Sequence, residues 1–118
     1  MPNDAVIYKQ VYLLDPEKID QTFEVPLDAR LIAIDWDTRV YLGIAFWYTF
    51  RVPEDTKKPT KPYGEMVAVP MSLTWRITIR GTGASYPYGM THLGTVVRDH
   101  YAWHLLDMDG NNIRWANR

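Results

Sequence analysis

The residues of this sequence best suited to chemistry are two arginines and the turn that follows them. Arg76 and Arg80 occupy the same side of an alternating segment. The turn consists of Gly81, Thr82 and Gly83. Glycine lets the backbone approach a ligand closely, and a guanidinium pairs with phosphate or carboxylate through several N–H donors. The pattern therefore indicates an anion or nucleotide site, with solvated arginines beside an ordinary turn as the competing interpretation, because no helix or phosphate-loop lysine follows.

Aromatic residues near this turn extend the candidate site. The chain has five Trp and eight Tyr residues, whose rings carry a polar atom and are suited to stacking on a ligand or lying at an interface. We therefore add three aromatic residues and one histidine to the arginines and the turn. The predicted ligand-binding set is Arg76, Arg80, Gly81, Thr82, Gly83, Tyr86, Tyr88, Trp103 and His104.

The three histidines do not have the spacing of a recognisable metal site. His100 falls at a predicted turn and His104 inside the next strand, so nothing in the spacing forces the two rings, or that of His92, to converge. A structural histidine beside Trp103 is the simpler interpretation of His104. We predict no metal and no cofactor.

No catalytic constellation is recognisable either. Cysteine is absent, which removes thiol nucleophiles, disulfides and cysteine zinc sites and fits a reducing compartment. Neither of the two serines, Ser72 and Ser85, lies in a Gly-x-Ser-x-Gly pattern. Asp35 and Asp37 share one side of a predicted strand, but Arg39 offers simple charge compensation. The sequence predicts a protein that is not an enzyme.

Alternation of apolar and polar residues predicts the strands that must position the candidate site. The clearest is Leu73 to Arg80, with apolar residues on one face and the two arginines on the other. A buried helix over residues 31–50 is the alternative to two strands there, and its β-branched and aromatic residues disfavour it. The other predicted strands are Ala5 to Leu13, Gln21 to Val25, Arg30 to Trp36, Val40 to Arg51, Leu93 to Arg98, Tyr101 to Leu106 and a last short one at Ile113 to Trp115.

These elements predict one small domain. The 118 residues suffice for a single core, and the chain is expected to be a mainly β, antiparallel domain over residues 1–118. The expected architecture is a sandwich or partly closed barrel of about six to eight strands with little helix. The stretch 53–62, rich in proline and lysine, is predicted to be an exposed loop.

The net charge and the hydropathy of the chain limit the classes of partner that it can bind. Thirteen Lys and Arg against 14 Asp and Glu give a net charge of −1, which argues against nucleic acid. The longest apolar run, Val40 to Tyr48, is far shorter than the ~20 residues of a membrane helix, and residues 1–4 do not resemble a signal peptide. We expect no membrane partner and no export.

Short motifs along the chain carry a resemblance. They are Ile7-Tyr8-Lys9, Gln21-Thr22-Phe23-Glu24-Val25-Pro26, Ile79-Arg80-Gly81-Thr82-Gly83, Leu93-Gly94-Thr95-Val96 and Trp103-His104-Leu105. Their order resembles that of a family of short uncharacterised proteins of tailed bacteriophages, with the pattern IYK, QTxxxP, GTG, LGT and WH. This chain departs from it at Asp28, where the family has glycine, and at Ala84, where it has histidine. The resemblance implies a phage origin and the bacterial cytoplasm, but no activity.

Two functions follow as expectations. The first is a phage accessory or anti-defence protein, non-enzymatic and homo-oligomeric, which sequesters a small nucleotide-like ligand or covers a host protein. The alternative is a virion component, such as a decoration or tail-associated protein, that assembles through exposed strand edges.

Overall fold

The computed structural model describes residues 5–52 and 70–117 of the chain. The predicted loop at 53–62 lies outside these residues. The described residues form seven strands: β1 (Ala5–Leu13), β2 (Gln21–Val25), β3 (Arg30–Trp36), β4 (Gly43–Arg51), β5 (Leu73–Gly81), β6 (Thr91–Arg98) and β7 (Tyr101–Asp107). None of the described residues forms a helix long and apolar enough to cross a membrane.

The strands form two antiparallel sheets, one ordered β1-β4-β3 and the other β2-β5-β7-β6. The prediction of a mainly β antiparallel domain is confirmed. The structure differs most from the predicted strands at two places, each of three residues. Residues 40–42 belong to a turn, in which Leu42 has a φ of 57° and the Gly43 N–H bonds to the Val40 carbonyl, so β4 begins at Gly43. The segment at Ile113 to Trp115 forms only an isolated parallel bridge, between Trp115 and Leu31.

The core lies between the two sheets and contains many aromatic side chains. On β5 the alternation buries Trp75, Ile77 and Ile79. The rings of Phe23 and Phe46, one from each sheet, meet edge to face with centroids 4.7 Å apart. Fully burying each large apolar side chain of this kind is worth about 1.5–3 kcal/mol. This packing therefore holds β5 with its other face, which carries Arg76 and Arg80, turned away from the core.

Side chains bridge the two sheets where their edge strands approach each other. The Gln21 amide accepts from the Leu13 N–H and donates to the Leu13 carbonyl, and so links β1 to β2. On the opposite side, the Trp36 indole N–H donates to the Val97 carbonyl at 2.9 Å, which links β3 to β6. Because side chains rather than a backbone ladder make these links, the sheets form a sandwich and not a closed barrel.

A buried carboxylate holds the segment after β7 against the second sheet. The Asp107 side chain is buried and accepts hydrogen bonds from the N–H groups of Asp109, at 2.9 Å, and Ile113, at 2.7 Å. A buried polar group needs such partners, because leaving one unpaired costs about 1–3 kcal/mol. The segment after β7 thereby reaches β3, where the Leu31 N–H donates to the Arg114 carbonyl and the Ala116 N–H donates to the Leu31 carbonyl.

Candidate functional site

The outer face of the second sheet brings residues of three strands into one row. Arg80 of β5 lies opposite His104 of β7, and His104 in turn lies opposite Thr95 of β6. Residues directly opposite each other in antiparallel strands project to the same side of the sheet. Since Ile79 and Leu105 occupy the core side, the row formed by Arg80, His104 and Thr95 faces away from the core.

A tight turn follows β5 and closes one end of this row. The Ala84 N–H donates to the Gly81 carbonyl at 3.1 Å, and Gly83 has a φ of 92°. A positive φ at the third residue is the requirement of a type II turn, and glycine meets it without strain. The turn projects Thr82 back toward His104, with the hydroxyl 2.8 Å from the Nε2 atom.

Between the turn and the sheet lies an open cleft of about 210 Å³. Its lining combines one cation, hydroxyl and imidazole groups and an aromatic ring. The lining residues are Arg80, Gly81, Thr82, Gly83, Ala84, Tyr86, His92, His104 and Leu106.

Neutral oxygen atoms hold the Arg80 guanidinium in place. Its Nη1 atom donates to the Thr78 hydroxyl and to the Ile79 carbonyl, both at 2.8 Å, and its Nε donates to the Ser85 carbonyl at 3.0 Å. None of the ion pairs formed among the described residues includes Arg80. Arg80 therefore lines the cleft as a cation that has no ion-pair partner among the described residues.

Arg76 has a different environment, although it lies on the same face of β5. Its Nη1 atom lies 2.9 Å from the Asp109 carboxylate. Four residues of extended strand separate the two arginines by about 13 Å. Arg76 is consequently neutralised and does not line the cleft.

Hydroxyl and imidazole groups form a connected cluster at the cleft. The His104 Nδ1 atom lies 2.9 Å from the Thr95 hydroxyl and 3.2 Å from the His92 Nε2 atom. The same His92 nitrogen lies 3.0 Å from the Thr95 hydroxyl. Burial, and secondarily the neighbouring His104, lower the pKa of His92 from its ordinary value of 6.5. The lower pKa favours the neutral form of the His92 ring.

Six of the nine predicted site residues meet at this cleft: Arg80, Gly81, Thr82, Gly83, Tyr86 and His104. The other three do not line it. Arg76 pairs with Asp109, Tyr88 is fully exposed, and Trp103 packs against the core on the opposite side of the sheet from His104. Trp103 and His104 are adjacent in a strand, where successive side chains point to opposite faces.

His92 is the polar residue of the cleft lining that the sequence analysis did not predict; Ala84 and Leu106 also line the cleft. His92 comes near His104 because β6 and β7 pair antiparallel, with an irregularity between His92 and Gly94. Two predicted strands, Leu93 to Arg98 and Tyr101 to Leu106, are joined by a turn at His100 and contain part of this signal. Antiparallel pairing of the two places the start of β6 beside the end of β7. The irregularity adjoins Gly94, and an isolated glycine inside a strand is a signal for a bulge that could have indicated it.

Comparison of the chain with protein-family models, with curated proteins and with solved structures returns no match. The function is therefore argued from the chemistry of the cleft.

Proposed function

We propose that the protein is a non-enzymatic binding protein that takes up a small, anionic, nucleotide-like molecule in the cleft beside Arg80. The observation that carries this proposal is the guanidinium of Arg80, which neutral oxygens orient and which takes part in no ion pair among the described residues. A phosphate or carboxylate would supply the missing negative charge.

The two arginines of β5 differ in the charge of their partners. Both are on the outer face, but Arg76 has the Asp109 carboxylate 2.9 Å away, whereas the partners of Arg80 carry no charge. A half-buried cation attracts an anion more strongly than a solvated one, because fewer water molecules screen it. Hydrogen bonds to charged groups contribute about 1.5–3 kcal/mol each.

The remaining lining suits the rest of such a ligand. Tyr86 offers a half-exposed ring at the cleft, onto which a planar base can stack. The Thr82 hydroxyl and the imidazole of His104 offer hydrogen-bonding groups at its floor. This combination of cation, aromatic ring and hydroxyl favours a nucleotide-like molecule over a simple inorganic anion.

The biological setting is also part of the proposal and is supported by sequence resemblance alone. The motifs shared with tailed-phage proteins favour an accessory protein made in the bacterial cytoplasm, acting by sequestration as a homo-oligomer. The alternative, a virion component assembled through strand edges, would use surfaces other than the cleft.

Native mass spectrometry of the protein purified from a bacterial lysate tests the proposal first. We expect a small defined oligomer carrying added mass of nucleotide size. Calorimetric titration with the identified nucleotide, in the presence of a metal chelator, then measures affinity. Arg80→Gln is expected to weaken binding about tenfold or more, through loss of a charge-assisted hydrogen bond.

Two matched controls separate the cleft from the general surface. Arg76→Gln removes the same charge from the same face of β5, and Tyr88→Leu removes an exposed ring outside the cleft; both should bind as the wild type does. Tyr86→Leu should weaken binding. Equal losses of nucleotide affinity in Arg80→Gln and Arg76→Gln would contradict the proposal. A purified protein that binds no nucleotide and assembles into large particles would also contradict it, and would favour the virion alternative.

A further inference from the structure

Three donor atoms at the edge of the cleft lie at the corners of a small triangle. They are the His92 Nε2, the His104 Nδ1 and the Thr95 hydroxyl oxygen. The three sides measure 3.2 Å between the nitrogens, 2.9 Å from Thr95 to His104, and 3.0 Å from Thr95 to His92. The three residues come from two neighbouring strands, which fixes their relative positions.

Hydrogen bonds can satisfy two sides of this triangle. The His92 Nε2–H can donate to the Thr95 hydroxyl oxygen, and the Thr95 hydroxyl can donate to the His104 Nδ1 lone pair. The third side then joins two ring nitrogens 3.2 Å apart with no hydrogen left to bond them. A cation facing three lone pairs would satisfy all three donors together.

The surroundings favour the protonation state that a cation requires. The His104 Nε2 lies 2.8 Å from the Thr82 hydroxyl oxygen, an acceptor that can hold the ring hydrogen on Nε2 and leave the Nδ1 lone pair free. Hydrogen bonding of the outer nitrogen in this way is the usual means of orienting a metal-binding histidine.

Local backbone geometry brings the second histidine to the site. His92 and Thr95 are three residues apart, a spacing that places side chains on opposite faces of a regular strand. The register shift between His92 and Gly94 cancels one step of the alternation, so both side chains reach the face of His104. Irregularities of this type re-aim side chains and are frequent beside functional sites.

We propose that His92, His104 and Thr95 bind one divalent transition-metal ion of the class that prefers imidazole, such as Zn²⁺. If each donor atom lies about 2.0–2.1 Å from the ion, two donors are about 2.8 Å apart at an octahedral angle and about 3.4 Å apart at a tetrahedral angle. The three observed distances between donor atoms fall in this range. The described residues contain no cluster of three or more His, Asp or Glu side chains, so the third protein donor is a hydroxyl. Such a site leaves coordination positions open to the cleft. The inference does not depend on the proposed anionic ligand.

Titration with Zn²⁺ alone tests the site. The protein is first treated with a chelator, transferred to phosphate-free buffer, and titrated calorimetrically while the histidine ring nitrogens are followed by ¹⁵N NMR. We expect one ion per chain, with the ring signals of His92 and His104 shifting together. His100 lies in the β6–β7 turn and serves as an internal control whose signals should stay in place.

Single substitutions test which residues bind the ion. His92→Asn and His104→Asn should each weaken Zn²⁺ binding by at least about tenfold, which is what loss of a merely orienting group already costs. His100→Asn should bind as the wild type does. Because His92 is exposed, His92→Asn should fold even where His104→Asn does not. Wild-type protein that binds no Zn²⁺, or a loss in His100→Asn equal to that in His92→Asn, would overturn the inference.

Discussion

The Lys9 ammonium lies 2.7 Å from the Asp37 carboxylate, whose side chain is only 1% exposed. Asp37 also accepts the backbone N–H groups of Arg39, at 2.7 Å, and Val40, at 2.8 Å. The hydrogen bond from Lys9, followed by those from the two backbone groups, lowers the pKa of Asp37 from 3.8 to about 2. The carboxylate therefore joins β1 to the turn between β3 and β4.

The first prediction concerns acid stability. Because the folded state binds the Asp37 proton less readily than the unfolded chain, the stability that Asp37 contributes is present above pH 3.8 and is lost as the pH falls toward about 2. Asp37→Asn should lower the urea concentration at the midpoint of unfolding at pH 7. Between pH 3.8 and about 2, the midpoint of this variant should fall less steeply than that of the wild type. Asp35→Asn, at an exposed neighbour, is the control. A wild-type midpoint that falls no more steeply than that of Asp37→Asn would argue against this role.

The second prediction concerns Gly43, at the start of β4. A Cβ atom there would lie 2.7 Å from a Val11 methyl and 3.0 Å from the Val40 Cβ. Valine is stiff at χ1 and cannot rotate away easily, so Gly43→Ala should destabilise the protein by about 1–3 kcal/mol in urea unfolding.

Gly81 provides the matched control for Gly43. An added Cβ there would meet only the Trp103 ring, at 3.8 Å, which is an ordinary contact. Gly81→Ala should therefore change the free energy of unfolding by less than about 0.5 kcal/mol. Similar stabilities of the two alanine variants would mean that residues 40–43 relax without cost.

The third prediction concerns the buried carboxylate of Asp107. Asp107→Ala leaves the N–H groups of Asp109 and Ile113 without their partner, and should cost about 1–3 kcal/mol for each group that water cannot reach. Asp109→Ala removes only a partly exposed ion pair with Arg76, worth about 0–1 kcal/mol. Chemical unfolding of both variants should rank them in that order, and the reverse ranking would refute the capping role.

Most strands could be predicted from the sequence, because alternation is a local property. The predicted Leu73 to Arg80 compares with β5 at Leu73–Gly81. The prediction was wrong where a turn depends on contacts from elsewhere. Residues 40–42 are apolar and resemble a strand, but Leu42 adopts a positive φ while Asp37 holds the preceding backbone.

Part of the candidate site could also be predicted from the sequence. Arg80, Thr82 and Tyr86 follow one another around a turn, so their proximity is local, and all three line the cleft. Trp103 and His104 are adjacent in β7, so their side chains lie on opposite faces of the sheet, and the alternation that predicts β5 also excludes Trp103 from the cleft. No local pattern separates Arg76 from Arg80, since the Asp109 that neutralises Arg76 lies 33 residues away along the chain.

The residues of each segment specify the β class, most strand positions and the face on which each side chain of a regular strand lies, because these depend on near neighbours in the chain. Which distant groups meet depends on how the strands pair and pack. His92 faces His104 because of the β6–β7 register and its shift, and Arg80 has no carboxylate partner among the described residues, whereas Arg76 has Asp109. Register and charge pairing depend on how whole sheets pack, and residue types along a single strand do not encode them.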